Sequence, residues 1–333
     1  MSWTAVKTVR AGPAGVRWVA MAAATLLLAV PAFAFELQGH RGARGLLPEN
    51  TLAGFERTLA IGVTTLELDI AITADGVPVV SHDPELNPAL TRDAQGRWLK
   101  DKGPLIRTLT LAQLQTYDVG RLDPSSEYGR PFAGQQPRDG ERIPTLAALF
   151  ARVNELGANQ VQFAIETKIF PNRPHDTVGP QEFVDALLTV IRQARMEQRV
   201  RIISFDWRTL QLVQKLAPAI ETVYITMEFP RSNTVRDSAW TAGILWRDHA
   251  SVAHMIKASG GRNWSPNFNH IDAAKVKAAQ QLGIKVLPWT VNEATDMDRL
   301  IGWGVDGIIT DYPDRLRAAM QRAGLPLPPP IPP

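Results

Sequence analysis

Eight short runs rich in β-branched and aliphatic residues, most of them separated by stretches of helical periodicity, constrain this 333-residue chain more than any other feature. The runs fall at 37–40, 65–70, 161–168, 200–205, 222–226, 262–265, 285–289 and 306–310. Helix-period segments lie at 51–61, 180–196, 207–216, 273–282, 294–303 and 315–323. Strands that alternate with helices pair in parallel, and eight such units close into an α/β (β/α)8 TIM barrel. In that architecture chemistry gathers at the carboxyl ends of the strands.

Two stretches break the rhythm. A strand-like run at 77–83 follows the second strand after only Asp75 and Gly76, a spacing that permits a hairpin and forbids a parallel crossover. Pairing outward from a two-residue turn sets Asp69 opposite His82, with the return arm outside the count of eight. The second break, 84–143, is rich in Pro, Gly, Asp and Arg and is too long for a plain loop. It reads as an inserted cap at the mouth, leading into a helix near Thr145, where it is expected to shape the substrate pocket. The proline-rich tail, 325–333, is expected to be extended.

The amino-terminal 34 residues hold Lys7, Arg10 and Arg17, an uncharged apolar stretch at 18–30, and the run Ala32, Phe33, Ala34 after Pro31. This is the pattern of a secretory signal cleaved after Ala34. A single membrane anchor is the alternative, but the apolar stretch falls short of the ~20 residues a spanning helix needs. The expected domains are therefore the signal at 1–34, the barrel at 35–324 and the tail at 325–333, with the mature chain periplasmic or secreted and holding no stable membrane anchor. The leader contains three of the 36 basic residues and no acid, so the remainder balances 33 against 33. Such a balance offers no long basic track for nucleic acid. The chain has no cysteine, which excludes thiolate metal sites, disulfides and a cysteine nucleophile.

The second strand reads TLELDI, placing Glu67 and Asp69 two residues apart, so both side chains leave the same face. The third, VQFAIETK, does the same with Glu166 and Lys168. Three carboxylates converging on one mouth must be neutralised to remain ionised. Hard oxygen donors suit one divalent cation, Ca²⁺ favoured and Mg²⁺ possible. A buried ion-pair network through Lys168, Arg41 and Arg44 is the alternative.

The first strand runs into QGHRGARGLLPENT, bringing His40 and Arg41 to the same rim. Of the six histidines only His40 and His82 sit at strand ends beside the acids; His175, His249, His254 and His270 are assigned to the surface. Two imidazoles flanking three carboxylates and two cations fit the acid and base of a phosphoryl-transfer site. The closeness expected between Asp69 and His82 favours the imidazolium form of His82 and hence the acid's role. Of the tryptophans, Trp207, Trp246, Trp264 and Trp303 are read as packing residues.

The chain resembles the glycerophosphodiester phosphodiesterase family through HRGARGLLPENT at 40–51, LELDIAITADGVPVVSHD at 66–83, AIETK at 164–168, ISFDW at 203–207, LPWTVN at 287–292 and VDGIITDYPDRL at 305–316. The resemblance implies a barrel enzyme that hydrolyses small-molecule glycerophosphodiesters to sn-glycerol 3-phosphate and an alcohol. It implies that Glu67, Asp69 and Glu166 hold the cation, that His40 and His82 are the catalytic histidines, and that Arg41 and Lys168 bind phosphate oxygens. Trp289 would pack against the glycerol. Glu49 and Asn50 would support these groups, and Ser204, Asp206, Asn292 and Asp311 are rim residues open to either role. Water and the substrate's own neighbouring hydroxyl both stand as nucleophiles. The rival readings are a phospholipase-type phosphodiesterase acting on intact lipids and an exported barrel that binds phosphodiesters without cleaving them.

Overall fold

In the computed structural model, residues 1–3, 5, 8 and 35–332 are described. The chain divides into two units, Met1–Ala32 and Phe33–Pro333. The expected signal and its cleavage point at Ala34 lie outside the described residues.

Eight parallel strands form the barrel: β1 (Glu36–Gly39), β2 (Thr65–Ile72), β4 (Gln162–Thr167), β5 (Val200–Ser204), β6 (Glu221–Thr226), β9 (Asn263–Pro266), β10 (Lys285–Val286) and β11 (Gly307–Thr310). Their ladder runs β10-β9-β6-β5-β4-β2-β1-β11. Hydrogen bonds from Asp306 N to Val286 O, Ile309 N to Pro288 O and Val291 N to Ile309 O, each 3.0 Å, link the two ends of that ladder. The last-but-one strand is shorter than the expected 285–289 because Pro288 has no N–H to give the ladder, although Leu287 N still bonds Trp264 O at 2.8 Å.

Outside lie α1 (Leu52–Ile61), α3 (Leu146–Glu155), α4 (Pro180–Gln193), α5 (Trp207–Leu216), α6 (Val252–Ala258), α7 (Ala273–Gln281), α8 (Ala294–Gly302) and α9 (Pro313–Arg322). Helix starts follow local chemistry: Thr51, Thr145, Asp206 and Asp272 each accept a first-turn N–H, satisfying a donor the helix cannot.

The period of two along each strand sorts side chains between two cores. Leu66, Leu68 and Ile70 of β2, Phe163 and Ile165 of β4 and Tyr224 of β6 face the helices in the main core. Ala164, Ile203, Val223, Ile225 and Leu287 fill the barrel interior, with Phe205 and Trp289 packed above them. The same alternation turns Glu67, Asp69 and Glu166 inward, above that apolar plug.

The hairpin forms, with β3 (Pro78–Val80) antiparallel to β2, but in a different register from the expected one. Ile70 pairs with Val80 and Ala71 with Val79, so Ser81 N, not a group of His82, bonds Asp69 O at 3.0 Å. The loop holds three residues, Ala74, Asp75 and Gly76, closed by Thr73 N to Val77 O at 3.1 Å, and Gly76 takes φ +77°. A three-residue loop with its last member left-handed fits the right-handed twist of the flanking strands. β1 pairs with β2 only as far as Leu66, which leaves that edge free for the returning arm.

The segment 84–143 holds a one-turn helix, α2 (Leu111–Leu114), and two 3₁₀ turns, Ile106–Thr108 and Arg130–Phe132. Leu86, Ile106, Leu114 and Ile143 bury against Ala71 and Val79 of the hairpin, giving the cap its own small core. A further excursion after β6 carries the two-residue strands β7 (Glu228–Phe229) and β8 (Ser232–Asn233). The tail has no regular structure but is docked: Leu325, Leu327 and Ile331 pack on the main core, and Arg317 Nη1 bonds Pro328 O at 2.6 Å.

Candidate active site

Strand order brings the expected residues together at the carboxyl ends. β2 and β4 pair so that Asp69 lies beside Glu166. Single oxygens of Glu67, Asp69 and Glu166 all lie within 4.8 Å of one another, and all three residues are buried. Burial, with Asp69 and Glu166 as like-charged neighbours, pushes Glu67 well above the usual carboxylate range. Burial and Asp69 likewise raise Glu166, to about 7, although Lys168 opposes them. Asp69 moves the other way: burial disfavours its charge, but Arg41, His82 and Lys168 outweigh that and hold it low. Asp69 Oδ1 is buried with no hydrogen-bond partner, Lys168 Nζ standing 3.8 Å away, beyond hydrogen-bond reach.

The loop after β1 wraps this trio. Arg41 adopts φ +51° and Gly42 φ +83°, a left-handed turn that points the Arg41 N–H at Glu67 Oε2, 2.8 Å away. The Arg41 guanidinium bonds Glu49 Oε1 at 2.8 Å and approaches Asp69 Oδ2 at 3.3 Å. Asn50, also left-handed at φ +54°, donates Nδ2 to Asp69 Oδ2 at 3.0 Å. Lys168 Nζ bonds Glu166 Oε1 at 2.8 Å and lies 3.8 Å from Asp69 Oδ1. The ion-pair network weighed as an alternative to metal is therefore present, yet among the described residues it leaves Asp69 Oδ1 free of hydrogen bonds and gives Glu67 a backbone N–H but no Lys or Arg side chain in ion-pair contact.

His40 follows β1 and stands with Nδ1 2.6 Å from Asp311 Oδ1 and Nε2 3.9 Å from Glu67 Oε2. Burial lowers its pKa despite Asp311. His82 reaches the same cavity by leaving the hairpin after Val80, and its Nδ1 meets Asp83 Oδ1 at 2.8 Å. Its pKa also falls well below the ordinary imidazole value, through burial and the charges of Arg41 and Lys168. Asp69 does favour imidazolium at His82, as expected, but burial and the two cations outweigh it, and the carboxylate on Nδ1 is Asp83. Each histidine thus turns Nδ1 toward a carboxylate, leaving Nε2 for a reactant.

Asp311 is the rim residue with the largest part in the site. Besides His40 it bonds Arg44 twice, at 2.9 Å to each oxygen, and accepts Asn292 Nδ2 at 2.7 Å. Burial would raise its pKa, but His40 and Arg44 hold it far below the carboxylate range. Ser204 and Asp206 serve structure instead: Ser204 bonds Thr167 and Asp206 caps α5.

The residues enclose a cavity of about 590 Å³. Trp289 lies in its wall with Nε1 bonded to Ser265 O at 3.0 Å and its ring edge-on to Phe205, centroids 5.4 Å apart. The outer wall comes from the loop after β4, with Phe170 and Arg173, and from the excursion after β6, with Met227, Arg231 and Trp240. None of its lining residues belongs to 84–143. The cap therefore does not form the pocket wall expected of it. It meets the site through Tyr128, whose hydroxyl bonds Glu49 Oε2 at 2.5 Å and accepts from Arg41 Nη1 at 3.0 Å. Sequence reading missed Tyr128 and both outer loops. The carboxylate ending VDGIITD was the one signal pointing to Asp311.

The chain matches the Glycerophosphoryl diester phosphodiesterase family over residues 40–315. It is 30% identical to a glycerophosphodiester phosphodiesterase of Caldanaerobacter subterraneus over 86% of this chain and 97% of the relative. A crystal structure from Silicibacter pomeroyi, provisionally described as a glycerophosphoryl diester phosphodiesterase, superposes with a TM-score of 0.80 at 38% identity, covering 88% of this chain and 95% of that one. An Oleispira antarctica phosphodiesterase, solved with the product sn-glycerol-3-phosphate, shares the fold with a TM-score of 0.64 at 24% identity, covering 86% and 96%.

Proposed function

The chain belongs to the glycerophosphoryl diester phosphodiesterase family, a family of phosphoric diester hydrolases, and we propose that it cleaves glycerophosphodiesters to sn-glycerol 3-phosphate and an alcohol with one divalent cation and a pair of histidines. The observation that carries this reading is the convergence of the Glu67, Asp69 and Glu166 oxygens within 4.8 Å, with Glu67 and Glu166 lining the same cavity as the two imidazoles. Three buried hard donors, one with an unpartnered oxygen, fit a cation held by carboxylates, with Ca²⁺ favoured and Mg²⁺ possible. A bound cation supplies Lewis-acid stabilisation of negative charge on the phosphoryl oxygens.

The chain's own residues do the rest. Arg41 and Lys168, both buried at the trio, bind nonbridging oxygens and oppose the charge that develops as phosphorus is attacked. One histidine takes the proton of the attacking oxygen through Nε2, and the other, protonated, returns one to the leaving alkoxide. The attacking oxygen is that of water, or that of the substrate's neighbouring hydroxyl, in which case water then opens the cyclic phosphate. Asp311 and Asp83 orient the rings by accepting from Nδ1. Trp289 packs against the glycerol carbons, and the wall of Phe170, Phe205 and Trp240 receives the alcohol group.

Residues 1–34 act as an export signal, and the mature enzyme begins at Phe35 outside the cytoplasm; amino-terminal sequencing of exported protein tests that boundary. Among the described residues no helix is long and apolar enough to cross a membrane. The deciding assay is a panel of soluble glycerophosphodiesters, with liposomal phospholipids alongside, run on chelated and cation-restored enzyme. Soluble diesters should be hydrolysed only with cation present. Full turnover in chelator would sink the metal's role, and turnover of liposomes alone would replace the substrate.

A further inference from the structure

The cap lies outside the pocket wall, yet one of its side chains grips two arginines at once. A tight turn presents it: Ser126 N bonds Asp123 O at 3.2 Å, Gly129 N bonds Ser126 Oγ at 2.8 Å, and a Cβ on Gly129 would stand 1.9 Å from Asp123 O. Only glycine fits there, and the turn aims the preceding residue, Tyr128, at the β1 loop. The Tyr128 hydroxyl donates to Glu49 Oε2 at 2.5 Å and accepts from Arg41 Nη1 at 3.0 Å and Arg44 Nη1 at 3.2 Å. A phenol has one proton and two lone pairs, so its capacity is fully used. Phe132 supports the same grip, with the Arg44 guanidinium 4.6 Å from its ring centroid, and Gln135 Nε2 bonds Arg44 O at 2.7 Å.

From that oxygen two branches run into the site. One passes through Glu49 and Arg41 to Asp69. The other passes through Arg44 and Asp311 to Nδ1 of His40. We propose that Tyr128 is a positioning residue of the hydrolysis: from the cap it fixes Arg41 for the phosphate and, through Arg44 and Asp311, the ring of His40. The cap is in this sense part of the catalytic apparatus without contacting substrate. The inference rests on the roles given above to Arg41 and His40.

Tyr128→Phe keeps the ring and removes the shared oxygen. Hydrogen bonds between charged groups and a neutral partner are strong enough that kcat/KM for glycerophosphocholine should fall roughly 10- to 100-fold. The Kd of cation-loaded protein for sn-glycerol 3-phosphate, measured by calorimetry, should weaken about 10-fold, because Arg41 loses its hold. A merely structural role would lower the melting temperature and leave that Kd unchanged in the folded protein. Combined with Glu49→Gln, the losses should be less than multiplicative, since both changes cut one branch. A folded Y128F enzyme within twofold of wild type in both readouts, or strictly multiplicative losses, overturns the proposal. Should Y128F not fold, E49Q alone decides: an unchanged Kd overturns the branch and a weakened one supports it. If wild type cleaves no glycerophosphodiester, the function proposed above fails, while the Kd comparison still judges Tyr128.

Discussion

Nδ1 of His40 and Oδ1 of Asp311 lie 2.6 Å apart although 271 positions separate them in the chain. The contact follows from barrel closure. β1 and β11 pair with Gly39 beside Thr310, so the next residue of each strand leaves the sheet at the same point of the rim. Asp311 is fully buried, and its partners, His40, Arg44 and Asn292, take up both oxygens.

Asp311→Asn tests the relationship. The amide keeps the volume and one acceptor but removes the charge that orients His40 and steadies it when protonated. We expect kcat to fall about 10²-fold or more, since positioned proton transfer is worth ~10² to 10⁴ in rate. The Kd for sn-glycerol 3-phosphate should move far less. A variant with wild-type kcat would remove Asp311 from the proton pathway.

His40→Ala and His82→Ala should each lower kcat by ~10² to 10⁴ with circular dichroism unchanged. Both histidines line the cavity, and each Nδ1 is taken by a different carboxylate, so neither ring can replace the other. The double variant should be little slower than the worse single one. Near-normal turnover in either single variant rejects that histidine's role.

The acidic trio predicts opposite pH trends with and without cation. In the metal-free protein Glu166 is raised from an ordinary 4.5 to about 7, and Glu67 is raised as well. Between those values the folded protein binds more protons than the unfolded chain, so stability contributed by these groups falls as pH rises from about 4.5 through about 7. Asp69 and Asp311 act in a separate window, because their depressed pKa values add stability that is lost only below about 3.8. A cation replaces the protons, so its binding should release protons and tighten as pH rises toward 7. Calorimetric titration with Ca²⁺ in buffers of different ionisation enthalpy measures that release. Affinity independent of pH between 5 and 8 would count against the trio as ligands.

Most of the site was legible in the sequence because strand geometry is periodic. Glu67 and Asp69 at i and i+2 could only share a face, and the parallel register of β2 with β4 set Asp69 beside Glu166. The hairpin register was not legible to one residue. A two-residue loop at Asp75 and Gly76 and a three-residue loop at Ala74, Asp75 and Gly76 both take a left-handed glycine at the last position, so the residues do not choose between them, and the slip moves every pairing by one. His82 reached the cavity regardless, because it lies beyond the last paired residue, Val80. Tyr128 and Trp240 left no pattern at all, since loop side chains are placed by tertiary packing rather than by period. Their segments have no repeat from which a direction can be read.

At the opposite end of the barrel from the site, Arg201 joins strands across the floor. Its Nη1 bonds Glu36 Oε2 at 2.6 Å, its Nε lies 3.0 Å from Glu221 Oε2, and Gln38 Nε2 also reaches Glu36 at 2.9 Å. Both Glu36 and the Arg201 side chain are largely sequestered from water, so removing the cation alone leaves a buried carboxylate without its counter-charge. Arg201→Met should therefore lower the unfolding free energy by about 3–5 kcal/mol. Replacing both partners, as in E36M/R201M, should recover much of that loss, because two apolar side chains need no compensation. Activity per folded molecule should stay within twofold of wild type in both variants, since the floor and the mouth share no hydrogen-bonded partner among the residues named. Urea unfolding followed by tryptophan fluorescence reads the stabilities. A double variant weaker than R201M alone would mean that the ion pair itself, rather than the stranded charge, holds the floor together.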